Sequence, residues 1–495
     1  MIHAARRTPL FESEFLSNTP AGRKTYQDSI QAAVRVLCEA LPDQPYSGKA
    51  PAALADLFLD NMLPEVPASA DRILSNLREV VTHSVIVTHP NTAAHLQCPP
   101  LIPALAAEVV ISALNQSMDS FDQAPAATIL EEKMVRWLCG KTALGEHASG
   151  IFTAGGTQSN YMALLLARDA CVDRHFGWLV QKRGLPAEAG RLRILCSDVA
   201  HFTVEKSASE LGLGTDAVVR VPTDGSFRMR VDSLRSALEE IRDQNLIAMA
   251  VVGTAGTTDF GSVDPLLEIG ELARAFGAWF HVDAAYGSAL LFSDRHRQQL
   301  RGVEMADSVS LDFHKLFWQP VSCAAFLLRD QTHFRYLKLH ADYLNPETHE
   351  QLGIPNLVTR SLATSRRFDI LKLWISFQAL GRQKLAQMID ATIDLARHAA
   401  QFIRKTDRLE LVHDPTLSCV VFRYLPSKPR GDANALNAQL RQRLFEQGMA
   451  VIGHTIVRAR QCLKLTCLNP MTSQQQMEEL LGVVVEQGMG LERAG

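Results

Sequence analysis

Long apolar runs are missing from this chain of 495 residues. The longest, residues 101–114, is broken by Pro103 and Glu108. It is too short to cross a bilayer, which takes about 20 apolar residues. A basic surplus is missing too: 50 Lys and Arg face 53 Asp and Glu, for a net charge of -3. That argues against a nucleic-acid binder, whose footprint is a positive stripe. The 9 cysteines are scattered, with no CxxC pair and no Cys/His cluster at metal spacing. They read as reduced, mostly buried thiols of a cytoplasmic protein without a bound metal. Residues 1–20 mix Arg6, Arg7 and Glu12 with apolar side chains, so no signal peptide is expected. Neither Walker nor dinucleotide-binding glycine spacing occurs, and there is no internal repeat or low-complexity segment.

What remains is ordinary globular composition, 47% hydrophobic and 21% charged, on a chain long enough for several domains. Residues 1–88 carry helical periodicity, with Ile30, Val34, Leu37 and Leu41 on one face. From residue 89 the pattern changes. Residues 193–196, 247–253, 278–283, 308–312 and 323–328 read as buried strands, separated by helix-like stretches such as 231–242 and 265–276. This alternation predicts an α/β domain over 89–390 with a mostly parallel sheet. A long helix then runs to about residue 405. Strands at 409–412, 419–424 and 462–467, with helices at 432–447 and 472–486, predict a small α+β domain over 391–495.

The residues that carry chemistry stand where strands are expected to end, the place where α/β sheets bind ligands. Lys315 is flanked by Val309, Leu311 and Phe313 on one side and Leu316, Phe317 and Trp318 on the other. Lysine is ordinarily a surface residue. Between such flanks its amine is partly desolvated, the setting of a lysine that attacks a carbonyl. Asp283 ends an apolar strand and is followed by Ala284, Ala285, Tyr286 and Gly287. It could simply cap the next helix. Alternatively it pairs with the protonated ring nitrogen of a pyridine cofactor, with small Ala285 leaving room for the flat ring. Gly155, Gly156 and Thr157 open a helix and could cradle a phosphate. His201 and Thr254 follow predicted strands, and each alone would pass for an ordinary core or turn residue.

Taken in order, these segments resemble the group II pyridoxal-phosphate decarboxylases, which have the aspartate-aminotransferase (type I) fold. The resemblance spans residues 89–470 and is most specific at 281–286 and at His314–Lys315. It implies a large domain with a seven-stranded, mostly parallel sheet, and pyridoxal 5'-phosphate as cofactor. It implies that Lys315 holds the cofactor covalently, that Asp283 meets its ring nitrogen, and that His201 stacks on the ring beside Ala285. Thr254, Gly156, Thr157 and His314 would line the cofactor. Tyr343, ahead of Arg366, Arg367 and Phe368, would return a proton to the substrate carbon. Thr92 and His95 would line the substrate site, built across a homodimer. Within the family the wording at 313–326 and 340–367 is closest to the bacterial diaminobutyrate and lysine decarboxylases of siderophore or polyamine synthesis. Other amino acids, or oxidative deamination and transamination on the same scaffold, stay open.

Overall fold

The computed structural model describes residues 11–58, 62–339, 341, 345–427 and 432–494. Thr19 caps the helix Pro20–Ala40 by accepting from the Gly22 amide at 3.2 Å, and Pro20 fills a first-turn position where its missing N–H costs nothing. Ser69 caps the helix Ala70–Thr82 in the same way. The two helices pack together. The apolar face expected from the sequence does not become core, because Val34, Leu37 and Leu41 stay exposed, as do Ile73, Leu77 and Val80.

The chain enters the main body through a short strand, β1 (Thr92–Ala93). Buried runs then alternate with helices: β2 (Ser149–Thr153), β3 (Leu192–Ser197), β4 (Val218–Val221), β5 (Ile247–Thr254), β6 (Trp279–Ala284), β7 (Ser308–Asp312) and β8 (Ala324–Leu328). These seven form one sheet in the order β2-β8-β7-β6-β5-β3-β4. Strand β8 is antiparallel to both neighbours, and every pair from β7 across to β4 is parallel. The central strands are buried along their whole length, so their sequences read as apolar runs rather than alternating ones. The helix Gly156–Phe176 packs across β5 to β8, while Val231–Asp243 and Leu266–Ala275 pack on β5.

The helix Ile370–Lys405 links the two cores. It bends at Gly381, whose φ of +66° is cheap only for glycine. Ile370, Leu373, Leu385 and Ile393 enter the large core, and Leu395 to Ile403 enter a second one. That second core lies under β9 (Leu409–Leu411), β10 (Cys419–Tyr424), β11 (Val451–Val457) and β12 (Arg460–Thr466), with the helices Ala433–Glu446 and Gln474–Ala494. Its sheet runs β1-β11-β12-β10-β9. Strand β1, read from the sequence as part of the large unit, thus pairs with β11 instead. Among the described residues no helix is long and apolar enough to cross a membrane.

A buried ion pair fixes the segment leading into the long helix. Arg366 donates to both carboxylate oxygens of Glu131, at 2.9 and 3.1 Å, and to the carbonyls of Phe152 and Met118. Glu131 in turn accepts from the Phe152 amide of β2 at 2.9 Å. Removing one partner leaves the other charge buried and alone. Arg366→Ala should therefore cost about 3–5 kcal/mol, read as a loss of stability in denaturant unfolding. A stability unchanged within 1 kcal/mol, about the worth of a surface pair, would contradict this reading.

Candidate active site

The sheet topology gathers polar residues at one edge. Strands β2, β3, β5, β6 and β7 end at Thr153, Ser197, Thr254, Ala284 and Asp312. The loops beyond them bring Gly155, Gly156, His201, Thr254, Asp283, Ala285, His314 and Lys315 to one cavity of about 590 Å³. Tyr161, Asn160 and Asp312 line it as well. Tyr343 lies outside the described residues.

Lys315 keeps its amine 3.4 Å from Asp312 Oδ2. Asp312 is buried, and among the described residues its only amide donor is Gly156 N, at 3.4 Å. His314 Nδ1 lies 3.0 Å from Asp312 Oδ1, yet without hydrogen-bonding alignment, so that oxygen stays unpartnered. Burial pushes the Asp312 carboxyl up, against the opposing pull of Lys315 and His314. The His314 ring sits beside Gly155, where an added Cβ would come within 3.5 Å of it.

Asp283 is buried but well held. Oδ2 accepts from Asn160 Nδ2 at 2.8 Å, and Oδ1 accepts from the Ala285 amide at 3.1 Å. Each oxygen keeps a lone pair for a further donor. His201 Nδ1 accepts from the Thr203 amide at 3.3 Å and lies 2.9 Å from the Thr203 hydroxyl. Burial lowers its pKa, with Asp283 pulling the other way. The neutral ring therefore carries its proton on Nε2.

Thr254 is positioned by another buried carboxylate. Asp264 accepts from the Thr254 amide at 2.8 Å and the Met229 amide at 2.7 Å. Just beyond, Gly256 turns the loop with φ +98°, where a Cβ would press on the Gly287 amide at 3.0 Å. Thr92 and His95 do not line the cavity. The Thr92 hydroxyl donates to the Ile86 carbonyl at 2.8 Å within the second sheet's edge. Burial lowers the His95 pKa, helped by Lys464, Arg441 and His454.

These residues fit pyridoxal phosphate. The helix Gly156–Phe176 has no side-chain cap, so among the described residues the next amides of its first turn, at Thr157 and Gln158, are left for an anion beside that of Gly156, which reaches Asp312 only at 3.4 Å. Gly156 has no side chain, and a Cβ there would crowd that of Ala285 at 3.0 Å. The Thr254 hydroxyl is buried without a partner among the described residues. Asp283 offers a carboxylate to a ring cation, and Lys315 an amine to an aldehyde.

Residues 51–425 match the pyridoxal-dependent decarboxylase conserved domain. The chain belongs to that family. Its relatives include an L-2,4-diaminobutyrate decarboxylase of Acinetobacter baumannii, 42% identical over 81% of this chain and 80% of that one. Another, from Rhizobium meliloti, is 40% identical over 99% of this chain and 98% of its own. A crystal structure from Vibrio parahaemolyticus superposes with a TM-score of 0.90 at 40% identity, covering 97% of this chain and 99% of that one. It is described as the glutamate decarboxylase domain of diaminobutyrate-pyruvate transaminase and L-2,4-diaminobutyrate decarboxylase. The fold is therefore type I, and the chain is a pyridoxal-phosphate-dependent amino-acid decarboxylase.

Sequence reasoning passed over Asn160, Asp264 and Asp312. Asn160 stands in the quoted glycine-led segment, but nothing in the sequence says that its amide reaches Asp283. The signal for Asp312 was its place at the end of β7, the same signal that marked Asp283 in β6. Asp264 carries a pH signature. Burial pushes its carboxyl up to about 6, from an ordinary 3.8. A raised carboxyl binds its proton more tightly in the folded state, so the contribution of Asp264 to wild-type stability should fall as pH rises from about 4 to 6, by about 3 kcal/mol. Asp264→Asn should lack that slope when the two are compared by denaturant unfolding across this range.

Proposed function

We propose that this decarboxylase acts on L-2,4-diaminobutyrate, releasing CO₂ and propane-1,3-diamine, a building block for polyamines or siderophores. The observation that carries the substrate is the likeness, at 40% identity or more and over most of both chains, to two proteins named for that activity. Lysine, the other substrate expected from the sequence, has no comparable support.

Pyridoxal phosphate supplies a conjugated cationic ring that accepts the electron pair left when CO₂ departs. The rest falls to the chain. Lys315 would hold the cofactor through its amine. Asp283 keeps the ring nitrogen protonated, since a carboxylate fixed by two donors is poised to accept a third hydrogen bond. The open first turn at Gly156 and Thr157 takes the phosphate, with His314 beside it. The Thr254 hydroxyl finds its missing partner on the cofactor. His201, carrying its proton on Nε2, would stack on the ring beside Ala285. Tyr343 returns the proton to the substrate α-carbon.

The working unit in this reading is a homodimer, with Thr92 and His95 completing the partner's substrate site. The helix Ile102–Leu114 supports it. Ile102 is 81% exposed, and Leu105, Val109, Val110 and Leu114 are exposed too, an apolar face that a lone chain leaves in water. Val110→Glu combined with Leu114→Lys should shift sedimentation towards the monomer and lower activity in parallel. A variant that stays dimeric and fully active would count against this face.

The substrate assignment is tested by CO₂ release from cofactor-loaded protein offered diaminobutyrate, ornithine, lysine, glutamate, histidine, tyrosine and dihydroxyphenylalanine. Release from diaminobutyrate with propane-1,3-diamine as the amine product is expected, and Lys315→Ala should abolish it. Preferred release from any other member would replace the substrate. Turnover by Lys315→Ala at the wild-type rate would remove the assigned role of the lysine.

A further inference from the structure

Behind Asp283 and His201 lies a chain of buried hydrogen bonds that touches the cofactor cavity only at its end. Trp279 Nε1 donates to Ser308 Oγ at 2.9 Å. Ser308 Oγ lies 2.9 Å from His281 Nδ1. His281 Nε2 lies 3.0 Å from Asn160 Oδ1. Asn160 Nδ2 donates to Asp283 Oδ2 at 2.8 Å and to Thr203 Oγ1 at 3.0 Å. Thr203 Oγ1 lies 2.9 Å from His201 Nδ1. Ser308, His281 and Asn160 are all buried.

The direction of each bond follows from the Asp283 end and is compatible with the Trp279 end. An indole N–H can only donate, so Ser308 Oγ accepts from Trp279 and keeps its own proton available for His281 Nδ1. Burial lowers the His281 pKa to about 4, so at neutral pH the ring holds one proton, on Nε2. That proton goes to Asn160 Oδ1, which Ser310 Oγ also serves at 2.7 Å. From the other end, an ionised Asp283 can only accept. That independently turns the Asn160 NH₂ group towards Asp283 and Thr203 and its oxygen towards His281. Thr203 Oγ1, having accepted, gives its own proton to His201 Nδ1. The carboxylate end demands this polarity, the Trp279 end is compatible with it, and every donor and acceptor of the Asn160 amide is used.

We propose that Asn160 is a positioning residue. Its amide, oriented by the one-way chain from Trp279, holds Asp283 as a carboxylate for the ring nitrogen and fixes His201 as the Nε2–H tautomer. This inference rests on the roles given above to Asp283 and His201. A reversed chain is costly: it would set the Asn160 carbonyl against the Asp283 carboxylate, two acceptors face to face in a buried site.

Neutron diffraction from crystals of the deuterated holoenzyme at neutral pH reads the chain directly. Deuterium is expected on Nε2 of both His281 and His201 and on the Asn160 nitrogen facing Asp283. Deuterium on Nδ1 of either histidine would overturn the proposal. Asn160→Ala should weaken cofactor affinity and lower kcat by about ten-fold each, with little change in the KM for the amino acid. An unchanged cofactor affinity and kcat would also overturn it. Should Asn160→Ala not fold, Ser308→Ala tests the same chain from a residue remote from the cofactor. It should let His281 move its proton to Nδ1, 3.2 Å from the Ser308 carbonyl, and weaken cofactor affinity a few-fold. No change in either would sink the idea. Asp283→Asn separates the two levels: if it leaves cofactor affinity and turnover intact, the role assigned to Asp283 fails, whatever the tautomers are.

Discussion

A carboxylate taken out of water must be held by donors or give up its charge, and the site depends on how Asp283 meets that demand. Its donors come from two different elements. One is the amide of Ala285, two residues on, set by the turn that ends β6. The other is Asn160, carried on the helix that packs across β5 to β8. A shift of that helix against the sheet would therefore cost the carboxylate a donor. The same helix opens at Gly156, the proposed phosphate site, so one rigid element sets the distance between the two ends of the cofactor. Parallel topology does the rest, because it brings the ends of five strands, scattered from residue 153 to residue 312, to one edge.

Much of this could be read before any coordinates. Strands β7 and β10 fall where apolar runs placed them, and β3, β5, β6 and β8 within a residue or two. Fully buried strands announce themselves as continuous apolar runs, which is why these were legible. Strand β2 was not, because Ser149, Gly150 and Thr153 dilute its pattern and the following glycines look like loop. Strand β4 sits at the sheet's edge and is half-buried, and β1 is two residues long. Neither gives a periodicity to find.

The site was legible for the same reason as the strands. Lys315, Asp283, His201 and Thr254 follow apolar runs, so their position in the sheet is written in sequence. What sequence could not show is which side chain answers a buried charge. Asn160 lies 123 residues from Asp283, and Asp264 reaches the Thr254 amide from beyond a turn. Such partners are chosen by three-dimensional packing and leave no local signal. The N-terminal helices show the opposite limit. Their apolar face was read correctly as a face, but the single chain leaves it exposed, because amphipathic periodicity says only that a surface is to be covered, not by which chain.

Two buried carboxylates among those lining the cavity have contrasting environments, and the contrast is set by hydrogen bonding rather than by burial alone. Asp283 and Asp312 are both buried, and both end parallel strands. Asp283 accepts from an amide N–H and a side-chain NH₂ at close range. Asp312 has one distant amide, with the Lys315 amine and the His314 ring near it but not well aligned, and burial drives its carboxyl up in spite of them. The carboxyl beside the proposed ring nitrogen is thus the one with two close donors. The carboxyl beside the Lys315 amine is the one that burial drives towards its neutral form. In the proposed reaction a ring stays cationic while the lysine exchanges protons, and adjacent parallel strands supply a differently held carboxyl for each.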